Sequence, residues 1–482
     1  MNAEQKSPTP GRRPAAARRT VLKTAGAAAV AASMGAATAG VARADDAGAQ
    51  ARTTAYDVIV IGAGFAGATA ARELAAKGLR THVLEARDRI GGRVWTSSFA
   101  GEQVEMGGTW VDRKQPYVWR EVERYGFGTV EDPAPTRAFL PTSAGFGEFS
   151  PAAAFARQAK LITPLFDGSR SYFERPSEPY YREDLVREID RLSLRDKLDQ
   201  MRYSADDELF ISNALGGLTG SAAAVGLATV AQWWALSGWT YESYASVNTD
   251  RPEAGSTALV RAILGGSSAT VSLNSPVASV TEDRSSVVVT TRAGKAYTAR
   301  AVVVAVPVNV WNSITFRPGL PAEYTRLSRE GLGVRSAQKF VMHVRGRDLG
   351  GFYMEAPAGA PVSTVIPFKE RADGHIMIGF SASTTFDAGN RAALQTELRK
   401  VVPGIEVVSV KVQHWGKDPY AQGGWAVRRP GLLTGSLRSV QRPRGRLAFA
   451  GGDIAVGWHG FMDGAIETGF TAAGQITEIL GR

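Results

Sequence analysis

The stretch that most limits what this chain can fold into begins at Tyr56. Tyr56-Asp57-Val58-Ile59-Val60-Ile61 is a short apolar run rich in β-branched residues, the pattern of a buried parallel strand. Gly62-Ala63-Gly64-Phe65-Ala66-Gly67 follows without a spacer. Ala68 to Lys77 is alanine-rich and reads as a helix that can pack closely on a sheet, with Gly78 as its stop. Thr81 to Glu85 reads as a second strand ending on an acid. Each part has a physical reason. The first glycine makes the tight turn, the second lets a pyrophosphate approach the backbone, and the third lets helix and strand touch. The helix N-terminus offers free N–H groups and a favourable dipole to the phosphates. Glu85 lies 23 residues after Gly62, where a carboxylate can take the ribose hydroxyls. Strand, glycine loop, helix and strand-terminal acid together specify a dinucleotide-binding βαβ unit, which a lone glycine run does not.

The rest of the chain sets the bounds. Its 482 residues suit roughly two domains of about 100–200 residues with extensions. With 44% hydrophobic residues a large core can be buried. There is no cysteine, which excludes disulfides, thiolate metal sites, thiol nucleophiles and any cofactor tethered through sulfur. The five histidines show no metal-ligand spacing with acids, so no metal is expected. The formal charge is +10, but residues 1–44 hold seven basic residues and one acid, leaving +4 for the remainder. That is ordinary for a soluble enzyme and calls for no nucleic-acid partner.

The basic leader has its own pattern. Arg18-Arg19-Thr20-Val21-Leu22-Lys23 is a twin-arginine run, Thr24 to Ala42 is uncharged and mostly Ala and Gly, and Ala42-Arg43-Ala44 reads as a small-residue cleavage site. It resembles a Tat export signal spanning residues 1–44. The expectation is export as a folded protein through the Tat translocase, a mature chain starting near Asp45, and no stable membrane anchor, because Ala and Gly give little transfer energy per residue.

Arg87-Asp88-Arg89-Ile90-Gly91-Gly92-Arg93 follows Glu85-Ala86 directly. Here the chain resembles the flavin amine oxidase superfamily, whose members carry the same E-A-R-x-R-x-G-G-R run after the second strand. Arg87, Gly91, Gly92 and Arg93 match position for position. In that family these residues lie along the FAD pyrophosphate and flavin edge, so the resemblance implies FAD. It covers nearly the whole chain from Tyr56 onward. Gly107-Gly108-Thr109-Trp110-Val111, Gln232 to Tyr241, His414-Trp415 and Gly423-Gly424-Trp425 are similar to the fungal-type monoamine oxidases. Gly452-Asp453 and Trp458-His459-Gly460-Phe461-Met462-Asp463-Gly464-Ala465-Ile466-Glu467 match the family's C-terminal FAD signature.

The fold class that follows is α/β: a noncontiguous Rossmann-like FAD-binding domain with an α+β substrate domain on a mixed or antiparallel sheet. The expected FAD segments are 52–125, 252–315 and 435–482, and the substrate segments are 126–251 and 316–434. The residues themselves agree. Val302 to Pro307 reads as another buried strand, Leu447 to Asp453 as a strand running into glycines and an acid, and Ile466, Phe470, Ala473, Ile476 and Leu480 have helical spacing. The resemblance places Val277 beside the adenine, Asp453 as an acceptor for the ribityl chain, and Gly107, Gly108, Thr109, Trp110, Trp415, Gly460, Met462 and Ala465 around the flavin.

For the reacting centre, the resemblance puts Trp425 and Phe461 where the family builds an aromatic pair facing the flavin. Animal members carry an FAD-linked cysteine at the position of Trp425, so the FAD here is expected to be noncovalent. Lys339 matches the family lysine that holds a water beside flavin N5. Phe340, Met342 and Val344 alternate with it as in a strand, and a lysine facing inward is costly to bury without partners. The implied activity is oxidation of an amine to an imine, and so to an aldehyde, with O2 reduced to H2O2. Two alternatives share the fold. An L-amino-acid oxidase needs a cation for the substrate carboxylate, and Arg428 or Arg429 could serve, although neighbours in a strand point to opposite faces. An exported amine or alkaloid dehydrogenase would pass its electrons to a cytochrome.

Overall fold

The computed structural model describes residues 56–481. The leader, with its twin arginines, lies outside the described residues.

The cofactor side is built on an eight-stranded sheet. Its heart is the strand Tyr56–Ile61, flanked by Thr81–Leu84 on one side and Ala296–Val304 on the other, all parallel. Val58, Ile59 and Val60 are completely buried, as a strand covered on both faces must be. Thr270–Ser272 extends the sheet beside Thr81–Leu84, and Leu447–Phe449 joins parallel to Ala296–Val304. Val277–Glu282 and Val287–Thr291 add an antiparallel flank, and Thr315–Arg317 runs parallel to Val277–Glu282 at its edge. The last strand runs two residues past the expected boundary at 315. The glycine-loop helix spans Phe65–Ala76 and starts three residues before the expected Ala68, because Gly64, in extended conformation, is its N-cap. The second strand stops at Leu84, and Glu85 just past it still donates its backbone N–H to the carbonyl of Ser272 at 2.9 Å. The closing helix, Met462–Ile479, packs on the glycine-loop helix.

The substrate side carries a seven-stranded sheet, antiparallel except where Arg137–Thr142 runs parallel to Phe352–Glu355. Its centre is the strand Gln338–Arg345, between Gly374–Ser381 and Glu406–His414. The face carrying Phe340, Met342, Val344, Met377 and Val365 forms one apolar core. The opposite face carries Lys339, Val341, Ile378 and Phe380 toward the cofactor side. Helices between residues 151 and 245 stand beside this sheet. Among the described residues no helix is long and apolar enough to cross a membrane.

Candidate active site

A single cavity of ≈ 290 Å³ runs from the end of the first strand to the face of the substrate sheet. One end is almost all backbone and small side chains: Gly62, Gly64, Phe65 and Ala66 from the glycine loop, then Glu85, Ala86, Arg87, Gly92 and Arg93, with Val277 opposite. Gly62 sits at φ +105°, and a Cβ there would lie 2.8 Å from the carbonyl oxygen of Ala305. Gly67 does not line the cavity. It holds the helix against the loop, where a Cβ would fall 1.9 Å from the carbonyl oxygen of Gly62. Glu85 is buried with its carboxylate oriented by two backbone donors, the N–H groups of Ala63 (2.8 Å) and Arg87 (2.9 Å).

The arginines of the following run are held by distant segments. Arg87 pairs with Asp418 at 2.6 Å, and its guanidinium lies over the ring of Tyr420. Arg93 donates to the carbonyl of Gly424 and pairs with Asp453 at 2.5 Å. Asp453, expected to accept from the ribityl chain, is buried behind the cavity wall. Its other oxygen accepts from the N–H of Val308 at 3.0 Å, so in this structure it orients Arg93.

The other end sets large side chains among glycines. Gly107, Gly108, Thr109 and Trp110 line it from one segment, Trp415 and Trp425 from another, and Gly452, Gly460, Phe461, Met462 and Ala465 from the C-terminal segment. Lys339 comes from the centre of the substrate sheet and is 2 % exposed. Its Nζ donates to the carbonyl of Gly107 at 2.9 Å and to Thr109 Oγ1. It also lies 5.1 Å from the ring centre of Trp110 and 5.5 Å from that of Phe380. No carboxylate among the described residues forms an ion pair with it. Burial therefore pushes its pKa down to about 8, against the pull of Glu105 and Asp132 further back. Those two acids are occupied elsewhere. Glu105 accepts from Thr96 Oγ1 and the Ser256 N–H, and Asp132 accepts from Trp110 Nε1 and Arg251.

Trp425 donates its indole N–H to the carbonyl of Leu218 at 2.8 Å and meets Phe380 edge to face, centres 5.9 Å apart. Phe461 is the N-cap residue of the closing helix, wedged edge-on between Trp233 and Trp458. Sequence reasoning missed Phe380, whose place follows from its register opposite Lys339. It also missed Tyr420 and Arg292 at the nucleotide end, and the exposed Asn248 at the rim. Neither arginine considered for a substrate carboxylate lines the cavity. Arg428 is buried and donates to Gln232 Oε1 and the carbonyl of Ala455, while Arg429 pairs with Glu330. Among the described residues no cluster of His, Asp and Glu could hold a metal ion.

The residues present fit FAD. The glycine loop leaves Gly64 open toward the cavity, its would-be Cβ meeting nothing closer than 3.6 Å. The helix behind it has no side-chain cap competing for its first N–H groups. An oriented carboxylate stands at the second strand's end, and the cavity continues unbroken to an aromatic chamber.

Comparison with known proteins points the same way. Residues 65–477 match the family model for flavin containing amine oxidoreductases. The chain is 34% identical to a nicotine dehydrogenase of Pseudomonas putida, with 88% of this chain and 89% of the relative covered. It is 29% identical to an (S)-6-hydroxynicotine oxidase of Paenarthrobacter nicotinovorans, covering 87% of this chain and 99% of the relative. Its fold superposes on that of putrescine oxidase bound to putrescine with a TM-score of 0.73 at 24% identity, covering 89% of this chain and 99% of the other.

Proposed function

This chain belongs to the family of flavin containing amine oxidoreductases, enzymes that use FAD to oxidise amines, and from that premise we propose that it oxidises an apolar-bodied amine in an aromatic slot and delivers the electrons to O2. The observation that carries this reading is the chamber itself. Trp110, Phe380 and Trp425 form one continuous ring-to-ring wall, Phe461 enters from the C-terminal helix, and Lys339 is the buried cation between them. The other lining arginines are committed: Arg87 to Asp418, Arg93 to Asp453, and Arg292 to the nucleotide end over Tyr420. With Arg428 and Arg429 turned away as well, the chamber offers no fixed fork for a substrate carboxylate. That weighs against the L-amino-acid oxidase.

In the proposed division of labour, Trp425 and Phe461 flank the amine and exclude water around the reacting carbon. Their ring faces favour a nitrogen dipole or cation. Lys339 holds a proton at Nζ beside the carbonyl of Gly107, poised over the electron-transfer half of the cycle. FAD, when bound, supplies the two-electron chemistry, taking the hydride equivalent from the carbon next to nitrogen and releasing the electrons to O2 as H2O2. The chain has no cysteine, so FAD is held without a sulfur link and acid denaturation should release it free. The relatives named for nicotine and hydroxynicotine support a cyclic, ring-bearing amine as substrate. The twin-arginine leader supports export through Tat to the outer side of the membrane, which N-terminal sequencing of secreted protein tests.

A second reading has its own support: a relative at 34% identity is named a dehydrogenase, which suits an acceptor other than O2, such as a cytochrome. One experiment separates the readings. The yellow protein is mixed without air with nicotine, cyclohexylamine, benzylamine, putrescine and amino acids, and then exposed to air. Bleaching by ring-bearing amines with rapid peroxide release supports the oxidase. Bleaching without peroxide supports the dehydrogenase, and bleaching by amino acids alone overturns both.

A further inference from the structure

The wall formed by Trp425 is not held by simple packing. Its indole N–H donates to the carbonyl of Leu218, in the turn that follows the helix Ala205–Gly216. That turn is fixed by Asn213, in the helix's last turn. Asn213 accepts the N–H of Gly217 at 2.7 Å on its carbonyl, and its amide lies so close that a Cβ on Gly217 would fall 1.9 Å from Oδ1. The Asn213 amide then crosses to the substrate sheet and donates to Thr364 Oγ1 at 3.0 Å. Thr364 stands directly opposite Phe380 in the antiparallel ladder, and Phe380 is the ring whose face or edge Trp425 meets. The links close on themselves: Trp425 to Leu218, through the adjoining Gly217 to Asn213, to Thr364, across the ladder to Phe380 and back to Trp425. Phe380 is also opposite Lys339, so the circuit is tied to the buried cation.

A ring packed only by apolar neighbours can rotate about its side-chain bonds at modest cost. The indole here is anchored at two places, its N–H and its contact with Phe380, and the two anchors are joined to each other through a side chain–side chain hydrogen bond that lies outside the cavity. We propose that Asn213 and Thr364 are positioning residues that set the rotation of Trp425 and hence the geometry of the amine slot. The inference rests on the reading of Trp425 as a wall of that slot. Neither residue lines the cavity, so neither touches substrate. Their effect reaches the slot through Trp425, which distinguishes them from buried polar residues that merely satisfy the interior.

A double-mutant cycle on the FAD-loaded enzyme tests this. The rate of anaerobic flavin bleaching is measured with an amine the enzyme oxidises, normalised to bound FAD. Trp425→Phe, which keeps a ring but removes the N–H, should lower the rate roughly 10–100-fold. Thr364→Val should lower it about tenfold, while Thr364→Ser, which keeps the hydroxyl, should restore most of it. In the Trp425→Phe background, Thr364→Val should change the rate less than about twofold, and Asn213→Leu should behave like Thr364→Val in both backgrounds. A crystal structure of Thr364→Val should show the indole N–H out of hydrogen-bond reach of the Leu218 carbonyl. If Thr364→Val costs the same factor in both backgrounds, or costs nothing in the wild type, the positioning role is wrong while the slot stands. If Trp425→Phe itself leaves the rate unchanged, the N–H anchor has no role and this inference falls, whereas an unchanged rate in Trp425→Ala would take the slot reading with it.

Discussion

The two ends of the cavity are made of different material. The nucleotide end is built around backbone: a glycine loop, the start of one helix and one oriented carboxylate within residues 56–93, with Val277, Arg292 and Tyr420 facing them. The reacting end is side chains delivered by five separated stretches, carrying Trp110, Lys339, Phe380, Trp425 and Phe461. A cradle of backbone tolerates almost no added atom, because nothing in it can rotate out of the way. A chamber of side chains can be retuned one ring at a time. Cofactor binding should therefore fail all at once, and amine oxidation by degrees.

The harshest test of that contrast is Gly67→Ala. One methyl group is added, and it falls 1.9 Å from the carbonyl oxygen of Gly62. The protein should purify without yellow colour and melt well below wild type, with a stability loss on the order of 3 kcal/mol from overpacking against backbone. A yellow protein with an unchanged melt would erase the distinction between the two ends. Phe461→Ala comes next. It removes a ring from the reacting end, so amine reduction of the flavin should fall roughly 100-fold while FAD content stays at wild-type level. Loss of FAD would show that Phe461 belongs to the cradle instead.

Lys339→Met is expected to spare cofactor binding and slow reoxidation by air roughly tenfold or more. The wild-type pH profile sharpens the point. Burial holds this ammonium down to about 8, so its proton is present below that pH and lost above it. If the proton assists transfer to O2, stopped-flow reoxidation falls as pH rises through about 8, and the Met variant shows a flat profile. The smallest effect is expected at Arg429→Gln. This side chain pairs with Glu330 near the surface, and such pairs contribute about 0–1 kcal/mol. Amine turnover should change by less than about twofold, and a large loss confined to carboxylate-bearing substrates would revive the amino-acid oxidase.

The same contrast explains what could be read from the sequence. The glycine loop, its helix and Glu85 are legible because every contact that defines them is made within a few tens of residues. The burial of Lys339 is legible as a period-two pattern, but its use came only through family resemblance. Phe380 was invisible because its place depends on the register between two strands separated by a hairpin and a β-bulge. Asp453 was assigned by analogy to the ribityl chain, and its ion pair with Arg93, 360 residues earlier, could not be read from any local pattern. Asn213 and Thr364 carry no motif at all, and only the crossing of helix and sheet brings them together.

The strand beside the glycine loop has a consequence for how the protein is made. Tyr56 pairs with Ala299, and the strand that reaches Leu447 closes that side of the sheet. During synthesis the glycine loop emerges early but lacks a neighbour on this flank until most of the chain has left the ribosome. At about 5–20 residues per second that delay lasts tens of seconds. The flank is filled by Ala296–Val304, and the cavity itself is completed later still, when the C-terminal segment brings Gly452, Gly460 and Met462. A chain truncated before Leu447 should emerge colourless however intact its glycine loop, and the colour of the finished protein reports completion of the whole topology.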